Sequence, residues 1–235
     1  MVTHIAIILA RGGSKRLPRK NILEFHGKPL IGWTIEAAKE SHCYQRVLVS
    51  TDDPEIAEVG RAFGADVPFL RESAADDMTP SSGATLVALR QSEQHWGERY
   101  DYVSQLMANC PLRGAPEIED AVMHALQSGA QSQISCFRYG WMNPWWAVRL
   151  DDQSHPDRLF PEALSMRSQD LPPLYCPTGA IWIAKTDSLK SNNTFYSDNC
   201  VFHPMSWMSA VDIDDAEDLE MANALFLAKR RKVLC

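Results

Sequence analysis

The stretch that most constrains this chain is Ile5-Ala-Ile-Ile-Leu-Ala10 running straight into Arg11-Gly-Gly-Ser-Lys-Arg-Leu-Pro-Arg-Lys-Asn21. The first piece is short, apolar and rich in isoleucine, the pattern of a strand buried on both faces of a parallel sheet. The second is a glycine-rich loop. Residues 1–20 carry five cations and no carboxylate, although the whole chain has a net charge of −7. A basic loop on an acidic protein marks a local anion site. Its glycines can take φ > 0 and approach a ligand, leaving N–H groups to converge on phosphate oxygens. The competing reading is a solvated surface turn. Two familiar phosphate loops do not fit: the residues after Gly12 do not end in Gly-Lys-Ser/Thr, and the adjacent Gly12 and Gly13 break G-x-G-x-x-G.

Strand and helix patterns alternate along the chain, which predicts βαβ units and a largely parallel sheet. Helices are expected over 30–41, from Pro54 to Phe63, from near Ser81 through Arg90, over 117–128 and from 215 to about 232. Strands are expected at 47–50, 102–107, 134–137 and 175–184, with a further strand leading into Val211-Asp-Ile-Asp214. Asp52 and Asp53, before Pro54, read as capping groups ahead of catalytic ones. Residues 138–177 are the exception, rich in Trp and Pro, and suggest an excursion from the main sheet. Its tryptophans mark an interface or a ligand wall, or else pack in the core. A length of 235 residues accommodates one α/β domain, 1–235.

The run Ala10-Arg-Gly-Gly-Ser-Lys, followed by Pro18, Lys20-Asn21 and Gly27-Lys-Pro-Leu30, resembles the nucleotide-binding signature of the acylneuraminate cytidylyltransferases, or CMP-sialic acid synthetases. The resemblance extends through most of the chain. It implies a three-layer α/β sandwich around a mostly parallel, Rossmann-like nucleotidyltransferase sheet, with 138–177 as a small arm for dimerisation and sugar binding. It also implies transfer of CMP from CTP to the anomeric hydroxyl of a nonulosonic, sialic-type acid, with release of pyrophosphate. A homodimer using Mg2+ is expected.

On the matching positions, Arg11, Gly12, Gly13, Ser14, Lys15 and Lys20 would hold the triphosphate, and Asn21 would contact the nucleotide near the ribose. Arg11, Lys15, Lys20 and Asp212 would carry the catalysis. Arg71 would contact the cytosine, although on its residues alone it reads as a surface arginine. Ser81 or Ser82 would read the cytosine edge, and a serine there can equally be an N-cap. Relatives commonly carry Leu-Gln-Pro-Thr-Ser-Pro-Leu-Arg where this chain reads Leu106-Met-Ala-Asn-Cys-Pro-Leu-Arg113. Met107 thus replaces a glutamine that helps to hold the sugar acid, and a thioether offers none of an amide's donors. The acceptor therefore stays open among sialic, pseudaminic, legionaminic and eight-carbon ulosonic acids. Thr178-Gly179 resembles the Asn-Gly of relatives, small residues that let a sugar ring approach. At the arm's end, Arg167 is implied to hold the sugar carboxylate, with Gln169 in the same substrate-binding set.

Asp212 and Asp214 form the second anchor. Residues two apart in a strand share a face, so both carboxylates can meet one cation. Magnesium takes one or two carboxylates together with phosphates and water. Such pairs also serve as helix caps, but Asp-x-Asp before the last helix is the family's metal pattern. A non-catalytic nucleotide-binding module is the alternative function; the intact set of Arg11, Lys15, Lys20, Asp212 and Asp214 speaks against it. The six cysteines show no C-x-x-C pairing. A pI of about 5.5 argues against a nucleic-acid partner. No apolar run approaches the roughly 18 residues of a membrane span, so a cytoplasmic protein without membrane attachment is expected.

Overall fold

The computed structural model describes residues 2–73 and 79–233, with side chains as far as Arg230. Strand β1 (His4–Leu9) lies inside the sheet, one strand in from its edge, and Ile5, Ala6, Ile7 and Ile8 are wholly buried. The chain then runs through α1 (Leu30–Glu40), β2 (Arg46–Ser50), α2 (Pro54–Ala62), α3 (Ser81–Trp96), β3 (Tyr102–Met107) and α4 (Ala115–Ser128). It continues through β4 (Ser132–Arg138), β5 (Tyr175–Lys185), α5 (Thr186–Asn192), β6 (Cys200–Pro204) and α6 (Ala216–Val233). The six strands lie in the order β6-β4-β5-β3-β1-β2. Strand β5 runs antiparallel to both its neighbours; the other strand pairings are parallel.

Helices cover both faces. Ala6 and Ile8 of β1 face Ile31 and Ile35 of α1, Ile56 of α2 and Ile118 and Val122 of α4 in one buried cluster. Ile5 and Ile7 face Leu86 and Leu89 of α3 and Leu189 of α5 in the other. The β-period alternation of β1 thus feeds two helical layers, giving the expected three-layer sandwich. A third cluster joins Phe25 and Leu30 to Val211, Ile213 and Phe226, seating α6 beside the loop that follows β1.

One local expectation is corrected. Residues 211–214 are extended coil, not strand; Ile213 N donates to Asn109 O at 2.9 Å, a local tie in place of a ladder.

Between β4 and β5 the chain leaves the sheet. Residues 139–174 hold short 3-10 turns and a ribbon pairing Val148–Leu150 with Pro156–Arg158. The base is closed by Tyr139 N donating to Leu174 O at 3.0 Å. Trp145 packs edge-on against Phe160 and donates Nε1 to Pro172 O, and Trp146 donates Nε1 to Ala163 O. These tryptophans brace the excursion itself rather than the main core, and Trp141 is 84% exposed.

Candidate active site

The carboxyl ends of β1, β2 and β3 open onto a cleft of about 270 Å³ lined by Arg11, Ser14, Lys20, Asn21, Arg71, Ser81, Met107 and Asp214, with Leu9, Thr79, Ala84 and Asn109. A crevice at this edge of an open parallel sheet is where such folds hold ligands. Eight of the residues singled out in the sequence therefore share one cavity.

The loop after β1 is anchored from β2. Asp52 Oδ1 accepts the Gly12 N–H at 2.9 Å. Asp53 Oδ1 caps α2 by accepting from Glu55 and Ile56 N, at 2.9 and 3.1 Å, while its Oδ2 accepts from Arg19 at 2.5 Å. Burial pushes the Asp53 carboxyl up, but those N–H groups and the Arg19 guanidinium outweigh it and hold it below its usual range. Capping was the right reading for Asp53, whereas Asp52 fixes the loop. The glycines act differently from expectation. Neither Gly12 nor Gly13 has positive φ, and the Gly12 N–H is already committed to Asp52. Glycine is needed at 12 because a Cβ there would lie 2.6 Å from Asp53 Oδ2; at Gly13 a side chain would meet open space.

Asn21 is buried and donates Nδ2 to Arg11 O at 3.0 Å, which sets the course of the loop. Arg71 is also buried, contrary to its reading as a surface residue. Its Nη1 donates to Ser50 O and Oγ, each at 3.2 Å, and its Nε has no partner among the described residues. Burial draws its pKa down. A desolvated guanidinium with spare donors on a cleft wall is equipped to bind an acceptor-rich ligand. Of the two serines, Ser81 lines the cleft and Ser82 is buried. Neither caps α3, since both lie within the helix and Pro80 occupies the cap position.

The two aspartates part company. Asp214 Oδ1 accepts from Lys20 Nζ at 2.6 Å and its Oδ2 from Arg16 at 2.5 Å. Burial raises the Asp214 carboxyl, but these cations prevail and hold it low. Asp212 is exposed on the rim of a neighbouring apolar groove of about 330 Å³. Surrounding protein, then Asp214 and Asp218, push its pKa up. Neither serves as a cap: α6 is capped by Asp215, which accepts from Glu217 and Asp218 N at 3.0 and 3.1 Å, with Asp218 accepting from Asp214 N at 2.9 Å. Among the described residues no group of three or more Asp, Glu, His or Cys converges as a metal cage.

Met107 ends β3 on the cleft wall, and its carbonyl accepts from Thr34 Oγ1 and from Arg113 Nη2, at 3.2 and 3.3 Å. Arg113 is itself wholly buried and also bonds Ala180 O and Thr34. Gly179 and Thr178 stand behind Met107 rather than in the cleft. A Cβ on Gly179 would lie 2.9 Å from Met107 Cγ, and Thr178 Oγ1 donates to Ala210 O at 3.3 Å. Small size at 179 thus makes room for the thioether, not directly for a ring.

Arg167 and Gln169 do not line the cleft. They lie in the excursion, where the exposed Arg167 Nε donates to Asp170 at 2.9 Å. Lys15 is on the loop but is not among the lining residues. Two contributors were missed. Asn109 lines the cleft and donates Nδ2 to Ile213 O at 2.9 Å and toward Asp214 Oδ1 at 3.3 Å. Its place just beyond a parallel strand's carboxyl end was the available signal. Arg16 is the other, its exposed guanidinium paired with Asp214.

The cytidylyltransferase family matches residues 5–136. The pseudaminic acid cytidylyltransferase of Campylobacter jejuni subsp. jejuni serotype O:2 is 32% identical over 230 residues, covering 95% of this chain and 96% of the relative. The CMP-N,N'-diacetyllegionaminic acid synthase of Legionella pneumophila is 32% identical over 225 residues, covering 94% and 95%. In fold, the chain superimposes on a CMP:2-keto-3-deoxy-manno-octonic acid synthetase complexed with CTP, with a TM-score of 0.72 and 18% identity over 97% of this chain and 99% of that one.

Proposed function

This chain belongs to the cytidylyltransferase family, and from that premise we propose that it transfers CMP from CTP to the anomeric hydroxyl of a nonulosonic acid, releasing pyrophosphate. The observation that carries the reading is the single cleft in which loop cations, a buried base-reading arginine and Asp214 meet.

The triphosphate lies along the loop, against Arg11, Ser14, Lys15 and Lys20, with Asn21 holding the loop's course below the ribose. Arg71 and Ser81 face the cytosine. The sugar acid enters beside Met107, its anomeric oxygen attacking the α-phosphorus in line as the bond to the β-phosphate oxygen breaks. Such transfers rest on positioning and electrostatics, which this set of groups supplies. Asp214 on the cleft and Asp212 on the adjoining groove are the carboxylates that would hold a divalent cation, Mg2+ by the residue chemistry, with burial and then Asp214 pushing the Asp212 carboxyl up. When bound, the ion would offset charge on the phosphate oxygens.

Met107 favours an acid other than sialic acid, because an amide that would hydrogen-bond the sugar is replaced by an apolar group on the cleft wall. Within the single domain, 1–235, residues 139–174 form an arm whose Trp141, Met142 and Leu150 are 84%, 67% and 64% exposed. That surface suits a second copy of the chain, with Arg167 reaching the neighbouring cleft. Among the described residues no helix is long and apolar enough to cross a membrane.

The test is pyrophosphate release from CTP and Mg2+ with a panel of nonulosonic acids. Turnover with pseudaminic or legionaminic acid is expected; CTP binding without turnover on any acid would favour the binding-module reading.

A further inference from the structure

Asp214 engages two cations of the triphosphate loop at once. Lys20 approaches from the cleft wall, with its side chain only 15% exposed. The Arg16 guanidinium is 65% exposed and reaches across from 198 residues away in sequence. The pair joins the loop after β1 to the coil before α6, spanning one side of the cleft mouth.

Both sides of this contact have other chemistry to do once the site fills. A triphosphate offers oxygens that a planar guanidinium binds through two parallel N–H bonds. A divalent cation offers Asp214 a stronger partner than an exposed guanidinium. Exposed ion pairs contribute little to stability, so Arg16 can change partner at small cost. In the ligand-free chain, therefore, Asp214 competes with the nucleotide for Arg16 and Lys20, and these cations compete with the metal for Asp214. Whichever ligand binds first frees a partner for the other, and linkage makes that benefit reciprocal.

We propose that Arg16 is a nucleotide-phosphate-binding residue held in reserve by Asp214, and that exchange of these partners couples nucleotide binding to metal binding. The inference rests on the reading of the cleft as a CTP site.

The experiment is calorimetric titration of CTP into the wild type, Arg16→Gln, Asp214→Asn and the double variant, in EDTA and again with Mg2+. In EDTA, Asp214→Asn is expected to tighten CTP binding about fivefold or more, chiefly because Arg16 no longer has to be pulled away, with Lys20 contributing a smaller share common to both Arg16 backgrounds. That gain should shrink to about twofold or less when Arg16 is already Gln, and Arg16→Lys should restore part of it. With Mg2+, Arg16→Gln should weaken CTP binding about tenfold, the loss of a charge-assisted pair. An equal gain from Asp214→Asn with and without Arg16 would overturn the proposal, since it would report only the removal of one negative charge. Unchanged affinity of Arg16→Gln with Mg2+ would also overturn it. A folded wild type that binds no CTP under either condition would instead overturn the reading of the cleft, and this proposal with it.

Discussion

The contact between Gly179 and Met107 gives the sharpest test of how the cleft wall is built. Gly179 does not have positive φ, so alanine is not excluded by the backbone; the obstacle is steric. The new Cβ would lie 2.9 Å from Met107 Cγ and 3.8 Å from both Sδ and Cε. Carbon atoms pack best at about 3.5–4.0 Å, so Cγ must retreat by roughly 0.6 Å or more. Met107 cannot yield through its backbone, which is fixed in the β1–β3 ladder and whose carbonyl is held by Thr34 and Arg113. Its side chain must turn toward the cleft, or β3 and β5 must part. Overpacking of this kind costs about 1–3 kcal/mol. Gly179→Ala should lower the unfolding free energy by that amount, moving the urea midpoint down by the cost divided by an unchanged m, yet cost less than about 0.5 kcal/mol in a Met107→Ala background. The same substitution should raise KM for the sugar acid and leave KM for CTP nearly constant. An equal stability cost in both backgrounds would refute the argument, because the methyl would then be meeting something other than Met107.

Arg71→Lys keeps a charge but loses the fork that spans Ser50 and the cleft; kcat/KM for CTP should fall about tenfold or more with the fold intact by circular dichroism, and an unchanged value would remove Arg71 from nucleotide recognition. Asp212→Asn should raise the Mg2+ concentration needed for half-maximal activity, and an unaltered metal response would remove Asp212 from the metal site. His4 is buried against Ser104 Oγ at 2.9 Å, and burial draws its pKa from 6.5 to about 3. Its folded value lies below its unfolded one, so the unfolded chain takes the proton first. Stability should be intact above about pH 6.5 and fall toward pH 3 with a slope of up to about 1.4 kcal/mol per pH unit. His4→Gln should flatten that slope in denaturant titrations run at successive pH values, and identical slopes would count against a neutral buried imidazole.

What the sequence made legible was local. The isoleucine run of β1 declares burial on both faces by itself, and Asp53-Pro54 declares a helix start within two residues. Signals that depend on distant partners were read less well. Arg71 looks like a surface residue because nothing near it in sequence shows that Ser50, at the end of another strand, will accept its hydrogen bonds. Gly179 looks like an approach for a ring because Met107, 72 positions earlier, is not adjacent until β3 and β5 pair. Ser81 and Ser82 differ only in which face of α3 meets the cleft, and one residue of helix phase separates lining from burial.

The charges make the same point at the scale of the whole chain. A basic loop near one end and an aspartate pair near the other look like two independent features, each open to a bland explanation as a solvated turn or a helix cap. The structure removes both explanations together. Asp215 and Asp218 do the capping, and Asp214 meets Lys20 and Arg16 across 194 and 198 positions of sequence. A carboxylate held low by two loop cations, beside a second carboxylate raised by burial and then by Asp214, is a balanced arrangement of costly charges. Core packing does not require it, since α6 is already seated by Leu219, Ala222 and Phe226. A chain that had lost its chemistry could discard either half and relieve the crowding. The retention of both halves, with Asp214 among the loop cations in the cleft and Asp212 on the adjoining groove, is the physical argument for an enzyme rather than a binding module.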